Sequence, residues 1–331
     1  MFKALSRISR RRALQGAAAL LVVSGLLMWW LLPIGPSSPR GSVTFSTGVR
    51  TGVYQLYGQL LKPTLAHDLP GVRIELQPSE GSQQNLARVA TGKADFTIAT
   101  ADAIAKYVED GKPGADRLRG CARLYDDYAQ LVVDDGSTVQ RTRDLRHKRV
   151  AVGQPGSGVR LIAERTLRAA GLDPQKDITP VPAGIDTSPG LLESGKIDAF
   201  FWSGGLPTDA VRDLAARHPI RLVPLDDLVT KLHAAGGTTR YYRSAVMPAD
   251  AYRQARNGGP VSTIAVANVL VTTDREDAKL TEGFTRSVIL SRDRIGRQVH
   301  AAQLVDVRTA IYTDPLKLHE GARRYYRSVK P

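Results

Sequence analysis

"VAVGQPGSGVRLIAERTL", running from Val150 to Leu167, reads as a strand, a glycine-rich turn and a helix. Gly153 and Gly158 have the spacing of a phosphate-binding loop. Such a loop continues with Lys and then Ser or Thr, because the ammonium reaches the terminal phosphates and the hydroxyl holds magnesium. Val159 and Arg160 occupy those two positions here. A dinucleotide fingerprint fails as well, since Gly156 and Gly158 are followed by Leu161 where a third glycine belongs. What remains is a turn whose glycines let the backbone approach a ligand, with Ser157 beside a helix start that favours an anion. A carboxylate suits such a turn as well as a phosphate does, and a tight strand-to-helix turn with no ligand is the plain alternative.

The same unit recurs on both sides of this stretch. "SVTFSTG" is a strand ending in a glycine turn, followed by a helix with Val53, Leu56, Tyr57, Leu60 and Leu61 at helical spacing. "VRIELQPSEG" alternates as a strand, a helix opens at Ser82, and "DFTIAT" is a further strand with a helix behind it. Repeats of this kind predict a parallel sheet with helices on its faces and ligands at the carboxyl ends of its strands. "CARLYDDYAQLVVDDGS" crosses toward a second set of strands that begins with "RVAVG". "STIAVANVLVTT" is a buried strand, and "REDAKLTEGFTRSVILSRDRIGRQV" reads as one long amphipathic helix. The division expected is an export or anchor segment and linker over residues 1–40 and a first lobe over 41–133. A second lobe covers 134–260, and 261–331 returns to the first. A cleft between two such lobes is a default place for a small ligand.

The chain of 331 residues is 42% hydrophobic and 24% charged, the balance of a globular protein, and carries a net charge of +14. Lys3, Arg7, Arg10, Arg11 and Arg12 precede any acidic residue, and without them the charge is +9. That excess favours an anionic ligand or surface. No nucleic-acid partner is expected, because the bases are dispersed and lack interleaved aromatics. The basic start runs into an apolar segment from Ala13 to Leu32, close to the roughly 20 residues a membrane helix needs. Positive flanks stay in the cytoplasm, so everything after Pro33 is expected to be exported. Trp29 and Trp30 suit the outer interface, and no small-x-small cleavage site is evident, which predicts an uncleaved N-terminal helix. "SRRRALQG" also resembles a twin-arginine export signal. Cys121 is the only cysteine and the six histidines are scattered, so neither disulfide nor metal is expected.

Three further turns, "STGVRTGVY", "SEGSQQN" and "WSGGLP", also place Gly beside Ser, Thr or Asn at strand ends. Four such turns from two lobes predict a polar pocket for a small anion or zwitterion. In order and spacing, "TGVRTGVYQLYG", "EGSQQNLARVATGKADFTIATAD", "LRGCARLYDDYAQLVV", "DLRHKRVAVGQPGSGVRLIAERTLRAAGL", "GKIDAFFWSGGLPTDAVRDLA" and "PLKLHEGARRYYR" resemble the TAXI-type solute-binding proteins of tripartite ATP-independent periplasmic (TRAP) transporters. The resemblance runs from about Ser42 to Val329. It implies an α/β, two-lobed, periplasmic-binding-protein-like fold of type II. Such a protein captures a small organic anion or amino acid, such as glutamate, glutamine or a dicarboxylate, without a cofactor, and delivers it to TRAP membrane subunits. Carried over by position, the ligand-binding residues implied are Thr47, Gly48, Gly52, Val53, Tyr54, Ser82, Asn85, Gly156, Ser157, Gly158, Val159, Gly204 and Pro207. The chain departs from the family in having Val53-Tyr54-Gln55-Leu56 in its first turn and Thr100-Ala101 before Asp102.

An enzyme is the rival class. Asp126-Asp127, Asp134-Asp135 and Asp226-Asp227 offer carboxylates, but neighbours in a strand point to opposite faces and cannot share one site. No nucleophile-elbow sequence precedes a helix, and no catalytic residue is assigned. A membrane-tethered sensor using the same cleft is the second rival, distinguished by whether transporter subunits are encoded beside it.

Overall fold

The computed structural model describes residues 21–24 and 39–329. Residues 21–24 are helical and exposed, and the rest of the expected N-terminal helix lies outside the described residues. No described helix is long and apolar enough to cross a membrane. The architecture below is that of residues 39–329.

Ten strands form one mixed sheet: β1 (Gly41–Ser46), β2 (Val72–Gln77), β3 (Phe96–Thr100), β4 (Leu118–Asp134), β5 (Arg149–Ala151), β6 (Thr179–Val181), β7 (Ala199–Gly204), β8 (Ile220–Val223), β9 (Tyr242–Met247) and β10 (Val261–Thr273). Their order is β2-β1-β3-β10-β4-β7-β5-β6, with β8 on β4 and β9 on β10. The helices are α1 (Val53–Asp68), α2 (Ser82–Ala90), α3 (Ala101–Glu109), α4 (Gly158–Ala169), α5 (Ser188–Glu193), α6 (Asp209–Arg217), α7 (Val229–Ala234), α8 (Ala278–Leu290), α9 (Arg292–Gly296), α10 (Val307–Ala310) and α11 (Glu320–Ser328).

The strand–turn–helix units stand where the alternation of apolar residues placed them, and β1/β2, β1/β3, β5/β6 and β5/β7 pair in parallel. The sheet as a whole is not parallel. β10 runs antiparallel to β3, β4 and β9, and β4 runs antiparallel to β7 and β8. The physical reason is connectivity: β4 carries the chain from one half of the sheet to the other and β10 carries it back.

Both long strands exchange partners at one level. β4 pairs with β10 up to Tyr128 and with β7 from Tyr128 onward. β10 pairs with β9 over Val261 to Val266 and with β3 from Asn268, with a register irregularity between Ala267 and Val269. On one side a large buried cluster packs Leu131, Val150, Ile162, Phe200 and Leu214. On the other, Phe45, Phe96 and Phe284 anchor the core, with Phe96 and Phe284 stacked at 4.2 Å.

The long helix expected after β10 is two helices. Between them the Ser291 hydroxyl lies 3.1 Å from Thr64 Oγ1, and Arg294 donates to the Leu60 carbonyl at 2.9 Å. Anchoring of both residues to α1 favours an offset between α8 and α9 over a straight continuation.

Candidate ligand-binding cavity

At the carboxyl ends of the parallel strands a cavity encloses about 580 Å³ of non-protein space, its mouth included. Its wall is built from the turns after β1, β2, β5 and β6 together with the ends of β3 and β7. The first turns of α1, α2 and α4 contribute Val53 and Tyr54, Ser82, and Gly158 and Val159. First-turn amides have no intrahelical acceptor and carry the positive end of the helix dipole, so three of them in one wall favour an anion.

The loop before α4 is shaped by backbone requirements. Gly153 and Gly156 have φ of 85° and 86°, a region that side chains rarely adopt. A Cβ on Gly153 would come within 2.8 Å of the Arg160 nitrogen. Ser157 caps α4: its Oγ accepts the Arg160 N–H at 3.0 Å and donates to the Gln154 carbonyl at 2.7 Å. The hydroxyl proton is therefore spent inside the loop, and the donors left for a ligand are the Gly158 and Val159 amides. Ser157→Ala is expected to lower stability by about 1 kcal/mol through loss of the cap, measured by chemical denaturation.

Arg160 pairs with Glu164 at 2.6 Å along the helix and is not a wall residue. Among the described residues the wall contains two acids, Glu80 and Asp127, and no Lys, Arg or His. The net positive charge of the chain is carried elsewhere, so attraction of an anion to this wall has to come from backbone amides and neutral side-chain donors.

The polar floor lies where β4 and β10 exchange partners. Asn268 on β10 accepts the Tyr54 hydroxyl at 2.5 Å and donates to Asp127 Oδ1 at 2.6 Å. The other Asp127 oxygen has only a 3.5 Å contact with the Tyr54 hydroxyl. That hydroxyl also lies 3.2 Å from Ser82 Oγ, which accepts the Thr100 N–H at 3.2 Å. Asp127 is 3% exposed. Burial pushes its carboxyl up to about 7, against the opposing hydrogen bond from Asn268, and the nearby Asp126 and Asp102 charges push the same way as burial. Burial, with Asp127 adding to it, holds the Tyr54 hydroxyl well above the usual phenol range. Ser203 Oγ, buried in the same wall, has no partner among the described residues.

Of the residues expected from sequence, the structure brings Gly48, Gly52, Val53, Tyr54, Ser82, Ser157, Gly158, Val159 and Gly204 to the cavity wall. The other four are not wall residues. Thr47 and Asn85 lie behind it, fully buried, where Asn85 Nδ2 donates to the Thr47 and Ile98 carbonyls and its Oδ1 accepts from Ser46 and Ser79. They hold the turns in place. Gly156 accepts the Gln84 N–H at 3.0 Å, and Pro207 leads into α6. Sequence reading did not assign Thr100, Ile185 or Trp202 to the site, and it weighed Asp127 only as one of a pair of catalytic carboxylates. An acid in the middle of the long apolar strand β4 is the signal that could have found Asp127. Adjacent Asp126 turns the opposite way, as strand geometry requires, and pairs with Arg123 and Arg243.

The two halves of the sheet also touch across the cavity. Gln83 donates to the Ser157 carbonyl at 2.7 Å, and Thr51 pairs with Asp186. Below them Asp102, at the start of α3, accepts from Arg165 of α4 at 2.9 Å and from the Tyr242 hydroxyl at 2.6 Å.

A cavity at strand carboxyl ends, walled by both halves of an α/β sheet that two long strands join, is the plan of a periplasmic-binding-protein-like fold. Solved structures share it. A periplasmic transporter aligns with a TM-score of 0.54 at 11% identity, over 88% of this chain and 93% of its own. A protein of Bordetella bronchiseptica RB50 aligns at 0.52 and 18%, over 88% and 90%. An ancestral arginine-binding protein bound to arginine aligns at 0.50 and 15%, over 78% and 98%. The chain belongs to the NMT1-like family, whose model matches residues 45–329.

Proposed function

We propose that the protein is an extracytoplasmic solute-binding protein that captures a small carboxylate in this cavity and passes it to membrane transport subunits. The observation that carries the reading is the convergence of the first turns of α1, α2 and α4 on one cavity with no basic side chain in its wall among the described residues. Backbone amides bind a compact anion there without a counter-ion, and the glycines allow them to approach it. The arginine of the ancestral arginine-binding protein is a precedent within the fold for an amino acid as ligand. The finer assignment, a TAXI-type receptor of a TRAP transporter for glutamate, glutamine or a dicarboxylate, rests on the sequence resemblance. Attachment to the membrane through residues 13–32 rests on their hydropathy.

A thermal-shift panel of amino acids, short mono- and dicarboxylates, sugars and nucleotides on the full-length chain tests the binding reading. A carboxylate is expected to stabilise the fold by about 2.7 kcal/mol at a hundredfold excess over its dissociation constant. Stabilisation by sugars or nucleotides alone would sink it. Genes for ABC-type membrane subunits beside this one, in place of TRAP subunits, would overturn the finer assignment.

A further inference from the structure

The cavity has a second pole. Asp127 offers one carboxylate oxygen to Asn268, the other has only the 3.5 Å contact with the Tyr54 hydroxyl, and the residue lines the cavity together with Ser82, Trp202 and Ser203. In its ionised form this acid repels a ligand that is only an anion. We infer that Asp127 receives a protonated amine of the ligand, so that the captured molecule is an amino acid and not a dicarboxylate that lacks an amine. The inference rests on the proposed carboxylate binding and extends it: helix amides take the carboxylate and Asp127 takes the cation. The unpartnered Ser203 hydroxyl in the same wall supplies a further hydrogen bond.

The assignment has a consequence for protons. With its carboxyl at about 7 when the cavity is empty, Asp127 is largely protonated below that pH. An ammonium beside it favours the ionised form, so binding below pH 7 expels the carboxyl proton to solvent while the amine keeps its own. The charged groups around Asp127 are Asp126 on its own strand and Asp102 at the start of α3, with the Tyr54 and Tyr125 hydroxyls also against it. Arg123 and Arg243 pair with Asp126, Arg165 pairs with Asp102, and Glu80 is the other acid of the wall. Among the described residues no Lys, Arg or His reaches Asp127 by hydrogen bond, which leaves its charge to the ligand's amine.

Calorimetry on the full-length chain with matched pairs tests this: L-glutamate against glutarate, and L-leucine against 4-methylpentanoate. The amine-bearing member of a pair is expected to bind at least about tenfold more tightly. Its affinity is expected to rise about tenfold from about pH 6 to about pH 8, with proton release at the lower pH visible as a dependence on buffer ionisation enthalpy. Asp127→Asn, which keeps the shape and removes the charge, is expected to abolish both the preference and the pH dependence. The wild-type profile decides the matter even if the variant folds poorly. Equal binding of glutarate and glutamate, or an affinity that falls as pH rises through 7, would overturn the role of Asp127 and leave carboxylate capture standing. Failure of all four compounds, with binding of a non-carboxylate, would overturn carboxylate capture and this inference together.

Discussion

Gly158→Val is expected to eliminate ligand binding from a chain that still folds. Gly158 opens α4 and faces α2 across the cavity: a Cβ placed on it lies 3.0 Å from Ser82 Oγ, 3.3 Å from Ser82 Cβ and 3.6 Å from Thr100 Oγ1. Alanine fits with a shift of a few tenths of an ångström in Ser82. Valine adds two methyl groups beside the Gly158 and Val159 amides, the proposed carboxylate donors, and crowds α4 against α2. The Gly158 backbone lies outside the left-handed region, so the substitution brings no dihedral strain. Affinity is expected to drop more than about a hundredfold, with Gly158→Ala intermediate, measured by calorimetry with circular dichroism as the folding control. Unchanged affinity in the valine variant would mean that the turn is not part of the binding surface.

Phe284→Ala is expected to have the largest effect on stability of any substitution considered. The ring is fully buried, stacks on Phe96 at 4.2 Å with 7° between planes, and meets Phe45 edge-on at 5.8 Å. It therefore joins α8, late in the chain, to β1 and β3 at its beginning. Truncation leaves a cavity in a close-packed interior, at a cost of about 3 to 5 kcal/mol. Denaturant titration is the measurement, and a loss below about 1 kcal/mol would show that the neighbouring side chains collapse into the gap.

The local units of this fold were legible because each rests on a short-range pattern. The apolar spacing of Val53, Leu56, Tyr57, Leu60 and Leu61, of which Val53, Tyr57 and Leu61 are buried, produced α1, and the Gly81 to Ser82 boundary produced the start of α2. What escaped were relations set by partners distant in sequence. Nothing in "STIAVANVLVTT" announces that Asn268 pairs with Thr100 on one side while Ala267 pairs with Asp126 on the other. The antiparallel crossings were missed for that reason, and the place of Asp127 in the site with them, since its importance comes from Tyr54 and Asn268. Thr47 and Asn85 depart in the opposite direction. They sit in the right turns, but only three-dimensional packing separates a residue that faces the cavity from one that braces the loop behind it.

The position of β10 bears on the order in which the chain can be completed. It lies between β3 and β4, strands made long before it, and fills the gap with the sequence from Val261 to Thr273. Until that segment has been synthesised, β3 and β4 each present an unpaired edge, a template for association with other chains. Contacts between residues so far apart in sequence form slowly, because the intervening loop must close first. A chain truncated before Val261 therefore loses the middle of its sheet and not its end, and the floor of the cavity with it.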